Sequence, residues 1–534
     1  MLRQKFQAYV LSSRPLDMPY YFGNSLPVDL LNLQENEWNN ESQVSSSDDV
    51  IDALNRPYSI LSVGCGNLRN VMYTLSSLPK EFTGKLSITM NDLDPFVLAR
   101  NVLFLYMMSV YSSTDGIELI LTTLWYSLHL TKSDYNLLIS CLHALIDIDG
   151  EQLKCPTFGV VWVSDEDLDI LRQVWQGWSN LACDRADTAS IHLKIQRERM
   201  FADDSISAEG IQVYKQQIPA RFHKSVDDWI ENGIFVPDGA DRSTLTHDNP
   251  TLTGRKMGRS PWHIGEAMSG TCKSPSEYEF VYCVPTDLWP FGAWDFLEVN
   301  QTTSSQMSLI DMFHCYIANQ VHTTIAHLPT QRLEIDVVSC DCLKLENWLK
   351  STRVSSSKVF DRIFTSNVAD YVGTATLLRA MKPLLDTSNK HSVIVTQYWN
   401  WYALFPESLV DHVTCIHDGT NAMCYESARK DTRQKFLPTN APRFWVQEYY
   451  NNMKWFLLYL RSDLLACEAS SATNGKRRNQ APSLQEVKNV HGLAMRDFRR
   501  ELNSVAPFRY RRNIRPVNML RGMSRMLEWY LPTS

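Results

Sequence analysis

Two strand–turn–helix units in direct succession constrain this chain more than any other feature. Residues 58–63 (YSILSV) form a short apolar, β-branched run, followed by a glycine turn and a helical pattern over 68–77. Residues 86–90 (LSITM) repeat the strand signal. Asp94-Pro95 then opens a long helix, with aspartate as N-cap and proline at the first helical position. Successive βα units close on one another as a parallel sheet with helices on both faces, so the fold class is α/β with a doubly wound sheet.

The strand signal resumes only at 333–339 (LEIDVVS), 359–365 (VFDRIFT) and 391–396 (HSVIVT), with a helix over 374–385 between the last two. This divides the chain into an N-terminal segment (1–57), a first half of the sheet domain (58–112), a mostly helical insertion (113–330), a second half (331–468) and a linker with a basic helical C-terminal segment (469–534). Inside the insertion, helices are expected at 133–146, after Ser164-Asp165-Glu166-Asp167, at 192–201 and at 211–232. Residues 237–295, crowded with Pro, Gly and Trp, read as an irregular packed cap.

Composition narrows the function classes. The longest apolar run, 96–111, is broken by Arg100 and Asn101 and is shorter than the roughly 20 residues that cross a bilayer, so no membrane span is expected. Residues 8–16 are too polar for the core of a signal peptide. Twelve cysteines occur without a single C-x-x-C pair, which argues for thiols in a cytoplasmic protein over a disulfide framework or zinc site. His314, His322 and His327 stand near Cys315 and are expected to be packed or surface residues. Net charge is −7, yet residues 476–534 carry +9, leaving about −16 on the remainder. The basic segment is expected to fold back on the acidic body, and no nucleic-acid binding is expected.

The chemistry-bearing residues fall at strand ends. The first turn reads Gly64-Cys65-Gly66-Asn67-Leu68-Arg69, where glycines allow close backbone approach to a ligand and the next helix offers free N–H groups. Arg69 stands where a dinucleotide fingerprint has its third glycine, which disfavours NAD and FAD. The second strand ends in Asn91-Asp92-Leu93-Asp94. Asp92 is placed to hold a ribose diol and Asp94 to cap the helix. Asp341 and Cys342 follow the third strand, where the carboxylate could accept from an adenine amino group, and Asn367 follows the fourth. Asp370 and Tyr371 are the nearest candidates for a base. No P-loop, G-x-S-x-G or H-E-x-x-H is present.

Gly64, Gly66, Asp92, Asp341 and Asn367 at four successive strand ends resemble the Rossmann-like class I S-adenosylmethionine-dependent methyltransferases. The motifs YFGNSLP (21–27), ILSVGCGNLRN (60–70), MNDLDPFVLARNVLFLY (90–106), DWIENGIF with NPTLTG, and FDRIFTSNVADYVG (360–373) are also similar to a narrower group. That group is a domain of unknown function shared by dynein axonemal assembly factor 3-like proteins and fungal MYND-finger proteins. The likeness runs in pieces from about residue 18 to about 400, without the MYND ligands. It implies a methyltransferase-like fold whose cofactor, S-adenosylmethionine, would meet Gly64, Cys65, Gly66, Asn67, Arg69, Asp92, Leu93, Asp341, Cys342 and Asn367. Arg69 could pair with Asp92 or Asp341 and fill the pocket, or hold the methionine carboxylate. For the axonemal branch the resemblance implies cytoplasmic preassembly of dynein arms in cilium assembly, with dynein chains or chaperones as partners. Asn367 is not followed by Pro-Pro-Tyr, so the motif of amide and adenine N-methyltransferases is missing. The expectation is an assembly or interaction factor, the alternative an active methyltransferase on an unknown substrate.

Overall fold

The computed structural model describes residues 21–38, 47–193, 215–255, 280–282, 290–352, 358–404, 452–468, 489–510 and 523–532, with gaps at 24, 192, 216–217, 305, 491 and 501. Nine strands form one sheet. In chain order they are β1 (Tyr58–Val63), β2 (Leu86–Asp92), β3 (Val161–Val163), β4 (Leu333–Ser339), β5 (Arg362–Phe364), β6 (Val393–Tyr398), β7 (Asn489–Val490), β8 (Leu493–Met495) and β9 (Arg525–Tyr530). Across the sheet the order is β7-β8-β9-β6-β5-β1-β2-β4-β3. The pairings from β6 to β3 are parallel, and β9 runs antiparallel to β6 and β8. Strand order reverses between β1 and β5, where a doubly wound sheet opens a crevice beyond its carboxyl edge.

Period-two alternation sends the strands' side chains into two cores. Tyr58, Ile60, Ile88, Met90, Ile335 and Val337 join one, whereas Leu61, Val63, Val338, Ile363 and Ile394 join the other. Nine of the described helices are labelled α1 (Arg69–Ser77), α2 (Pro95–Val110), α3 (Ile117–Tyr126), α4 (Lys132–Asp147), α5 (Asp165–Ser179), α6 (Leu309–His327), α7 (Leu345–Thr352), α8 (Thr374–Met381) and α9 (Met453–Glu468). Helix α2 is apolar on all sides and almost wholly buried, as a helix without a wet face must be. Its start is as expected: the Asp94 carboxylate accepts from the Phe96 amide, and Pro95 is the first helical residue. Ser164 caps α5 in the same way by accepting from the Asp167 amide, with three acids in the first turn complementing the helix dipole.

Two parts of the sheet depart from the sequence reading. The insertion is not only helical, because Val161–Val163 pairs with β4 and becomes the sheet's edge strand. Three residues between a turn and a helix cap are too few to show a period. The described part of the C-terminal segment corrects the expected basic helix: it supplies β7, β8 and β9. Arg525 and Glu528 look like the wet face of a helix, but both are buried partners inside the sheet. Glu528 accepts from the amides of Ser504, Val505 and Ala506 and pairs with Arg496 at 3.0 Å, while Arg525 donates to Asn452 Oδ1 at 2.7 Å.

Within the insertion, the expected helix at 211–232 is described as a short 3-10 turn, Ala220–Phe222, running into a helix over His223–Asn232. The one expected at 192–201 lies almost entirely outside the described residues. The irregular cap is borne out where described, as 3-10 turns and two-residue or three-residue strands. Trp175, Trp178 and Trp294 are fully buried and Trp229 nearly so, which places them in the core; Trp262 and Trp289 lie outside the described residues. Among the described residues no helix is long and apolar enough to cross a membrane.

Candidate functional site at the carboxyl edge

The turn after β1 is built from two glycines in the left-handed region, Gly64 and Gly66, each with φ 58°. Gly64 also lies under the loop that follows β5: a Cβ there would come within 3.1 Å of Val368 and 3.7 Å of Ser366. Ser366 itself is left-handed at φ 45°, a conformation a side-chain-bearing residue holds only when its surroundings impose it. The β1 and β5 loops thus meet directly across the topological switch point.

Three of the turn's amides are engaged. The Cys65 N–H donates to Asn91 O at 3.0 Å, the Gly66 N–H to Asp92 Oδ2 at 2.9 Å, and the Arg69 N–H to Asn67 Oδ1 at 3.2 Å. Asp92 is the centre of the arrangement. Oδ1 accepts from the Asp94 amide at 3.0 Å, and the Leu93 amide adds a third backbone hydrogen bond to the carboxylate, which retains acceptor capacity for a vicinal diol. Burial pushes its pKa up to about 6 against these backbone hydrogen bonds. Leu93 beside it is 41% exposed, an uncovered apolar surface next to a carboxylate.

Three strand ends converge here. Burial, followed by the Asp92 charge, holds the Cys65 thiol well above its usual range. Burial and the charges of Asp341 and Asp92 raise Cys342 to about 12. Both thiols are protonated and behave as small apolar groups rather than nucleophiles. Asp341 stands at the same edge, but Oδ1 is engaged in capping the short 3-10 turn Cys342–Lys344 through the Leu343 amide at 3.0 Å. Asn367 lies half-buried in the loop after β5, and its carbonyl accepts from the Asp370 amide at 3.0 Å.

Two candidates are placed elsewhere than the sequence suggested. Arg69 pairs with neither Asp92 nor Asp341. Its guanidinium donates to the carbonyls of Ser25, at 2.5 Å, and Ala293, and to Asn67 Oδ1 at 3.0 Å. Burial lowers its pKa, with only the Tyr126 and Tyr510 hydroxyls opposing. It anchors the N-terminal segment instead: a Cβ on Gly23, at φ +80°, would land on the guanidinium. Asp370 is also unavailable as a base. Oδ2 accepts from the amides of Trp399 and Asn400 at 2.7 and 2.9 Å, and Oδ1 from Tyr459 Oη at 3.4 Å, so it fixes the loop after β6. Burial raises it to about 7.

Residues 21–130 match the model of a domain of unknown function, DUF4470. No curated protein and no solved structure matches the chain. The matched stretch holds the glycine turn, Asp92 and α2, together with the segment that Arg69 anchors. It also holds two residues that sequence reasoning did not single out as builders of the site. Asn101 donates from α2 to the Gly66 carbonyl at 2.7 Å, and Asn91 donates to Val338 O and Cys340 O at 3.2 and 2.9 Å, tying β2 to β4. The signal for Asn101 was its place, with Arg100, as a polar interruption of an apolar helix. Arg100 is the companion anchor: it donates to Leu124 O and Trp125 O, and its guanidinium lies over the Tyr21 ring. Among the described residues no cluster of His, Cys, Asp and Glu is suited to a metal ion.

Proposed function

We propose that this chain is a methyltransferase-like protein that binds S-adenosylmethionine or its demethylated product at the carboxyl edge and works as a cytoplasmic assembly or interaction factor. The observation that carries the reading is Asp92. It stands at the end of β2, fixed by the Gly66 and Asp94 amides, with spare lone pairs and the exposed Leu93 alongside. A ribose diol donates two hydrogen bonds to such a carboxylate, and adenine lies on an apolar neighbour. Asp341 and Cys342 stand where the adenine edge would fall, and Asn367 closes the β5 side. The parallel strands β4-β2-β1-β5-β6, which follow one another in the order third, second, first, fourth, fifth, support the Rossmann-like assignment.

The assembly role is favoured over catalysis because Asp370, one of the two candidate bases with Tyr371, is consumed in holding the loop after β6. Client proteins of the dynein-chain or chaperone type follow from the sequence resemblance. The buried tryptophans of the insertion are not the surface that would meet them.

Isothermal calorimetry of the full chain with S-adenosylmethionine and S-adenosylhomocysteine tests the reading. Binding is expected, weakened roughly 10- to 100-fold in Asp92→Ala, the loss of about 1–3 kcal/mol of hydrogen bonding. Since Asp92 also braces the turn, Leu93→Asp provides a second variant that leaves those braces intact and spoils only the apolar platform. Absence of binding to either ligand, or full affinity in both variants, overturns the assignment.

A further inference from the structure

A second cavity, of about 390 Å³, opens at the opposite end of the sheet. Leu86 and Leu333, the first residues of β2 and β4, form its floor, and the last turns of α1 and α6 form its walls. From Leu86 to Asp92 the strand climbs roughly 20 Å at about 3.3 Å per residue, so this cavity and the carboxyl edge do not share a ligand. Its volume lies within the range of about 300–1,000 Å³ of small-molecule sites.

The lining divides by chemistry. Leu75, Leu78, Phe82 and Leu86 give an apolar side, while the hydroxyls of Ser76, Thr323 and Thr330 donate to the carbonyls of Tyr73, Asn319 and His327 and so add no free donor. Lys80, His327 and Arg332 bring the titratable groups, and none of the lining residues is acidic. That is a local inversion in a chain whose net charge is −7. The contrast with the adjacent Lys85 is direct, since Lys85 is paired with Glu334 at 2.6 Å. Lys80 and Arg332 have no carboxylate partner among the described residues. One nitrogen of Arg332 donates to Phe82 O at 3.3 Å. Two cations without a carboxylate partner among the described residues, beside an apolar wall, form the recognition set for an anionic head group on an apolar body.

We propose that the cavity between the ends of α1 and α6 binds a small amphipathic anion, a carboxylate or phosphate ester whose apolar part lies on Leu78 and Phe82 and whose charge meets Lys80 and Arg332. The site is separate from the nucleoside reading above and stands or falls without it.

The test titrates the full chain with phenyl phosphate and with 4-phenylbutyrate, using 4-phenylbutanol as the uncharged counterpart. Both anions should bind, and the alcohol at least about tenfold more weakly. The double variant Lys80→Glu/Arg332→Glu should lower anion affinity by about tenfold or more while keeping the wild-type melting temperature, because both side chains are exposed. Ala326→Trp, which fills the cavity without touching either charge, should abolish binding of all three probes. The tighter of the two anions identifies the head group, and either order supports the site. Equal binding of the alcohol, undiminished binding in both variants, or no binding of either anion overturns the proposal.

Discussion

The two ends of the sheet treat charge in opposite ways. At the carboxyl edge three charged groups are braced from inside: Asp92 by backbone amides, Asp370 by two amides, Arg69 by two carbonyls and an amide oxygen. At the amino edge Lys80 and Arg332 stand open beside a cavity with no acid in its lining. A braced charge is held in one geometry and is expensive to disturb, because removing it leaves buried partners unsatisfied. An open charge contributes little to the fold and remains available to a ligand. Stability and binding should therefore respond in opposite ways to substitutions at the two ends.

The largest expected contrast is in pH. Asp370 rises from 3.8 to about 7 in the folded chain, so the folded state binds its proton more tightly than the unfolded state does. Its favourable contribution is complete below about pH 4 and is lost as pH rises through 7, worth roughly 4 kcal/mol at 1.36 kcal/mol per unit. Asp29, Asp92 and Asp167, each raised to about 6 by burial, add to the same slope. Urea midpoints should fall between pH 4 and pH 7, and less steeply in Asp370→Asn. An equal slope in the variant would remove Asp370 from the account.

Gly23→Ala comes next. The new Cβ meets the Arg69 guanidinium and the backbone is left-handed, so a loss of about 3 kcal/mol is expected in chemical denaturation. A loss under about 1 kcal/mol would mean that the N-terminal segment is not anchored as described. Asp94→Ala should cost about 1 kcal/mol, as a lost N-cap does, and is checked by the same unfolding curve. Smallest is Lys80→Ala, expected within about 0.5 kcal/mol of wild type while anion binding falls. A larger destabilisation would make Lys80 a structural residue and erase the contrast between the ends.

How much of this was legible follows from the same distinction. Strands β1, β2 and β4 and the Asp94 cap could be read because apolar runs and turn chemistry are local. The residues at the carboxyl edge could be named from their place at strand ends, but their bracing could not. Nothing in the sequence ties Arg69 to Ser25 O and Ala293 O, or Asp370 to the amides of Trp399 and Asn400, since those partners are brought in by the fold. The C-terminal strands were misread for the related reason that Glu528 and Arg525 find their hydrogen-bond partners on groups distant in the chain. The amino-edge cavity has no motif at all, because it is assembled from the ends of two helices far apart in the chain.

The Asn32 side chain donates to the Ser504 carbonyl at 2.7 Å across a separation of 472 residues, and Asn36 reaches the same carbonyl at 3.0 Å. During synthesis at about 5–20 residues per second, Asn32 leaves the ribosome roughly half a minute to a minute and a half before Ser504 exists. Strand β9, which closes the antiparallel side beside β6, arrives later still. From the completion of β6 at Tyr398 until Arg525 is made, roughly 6–25 s at that rate, the outer side of β6 is an open apolar edge, the kind of surface that invites wrong partners. The chain's early and late segments are therefore joined only after nearly all of it has been made.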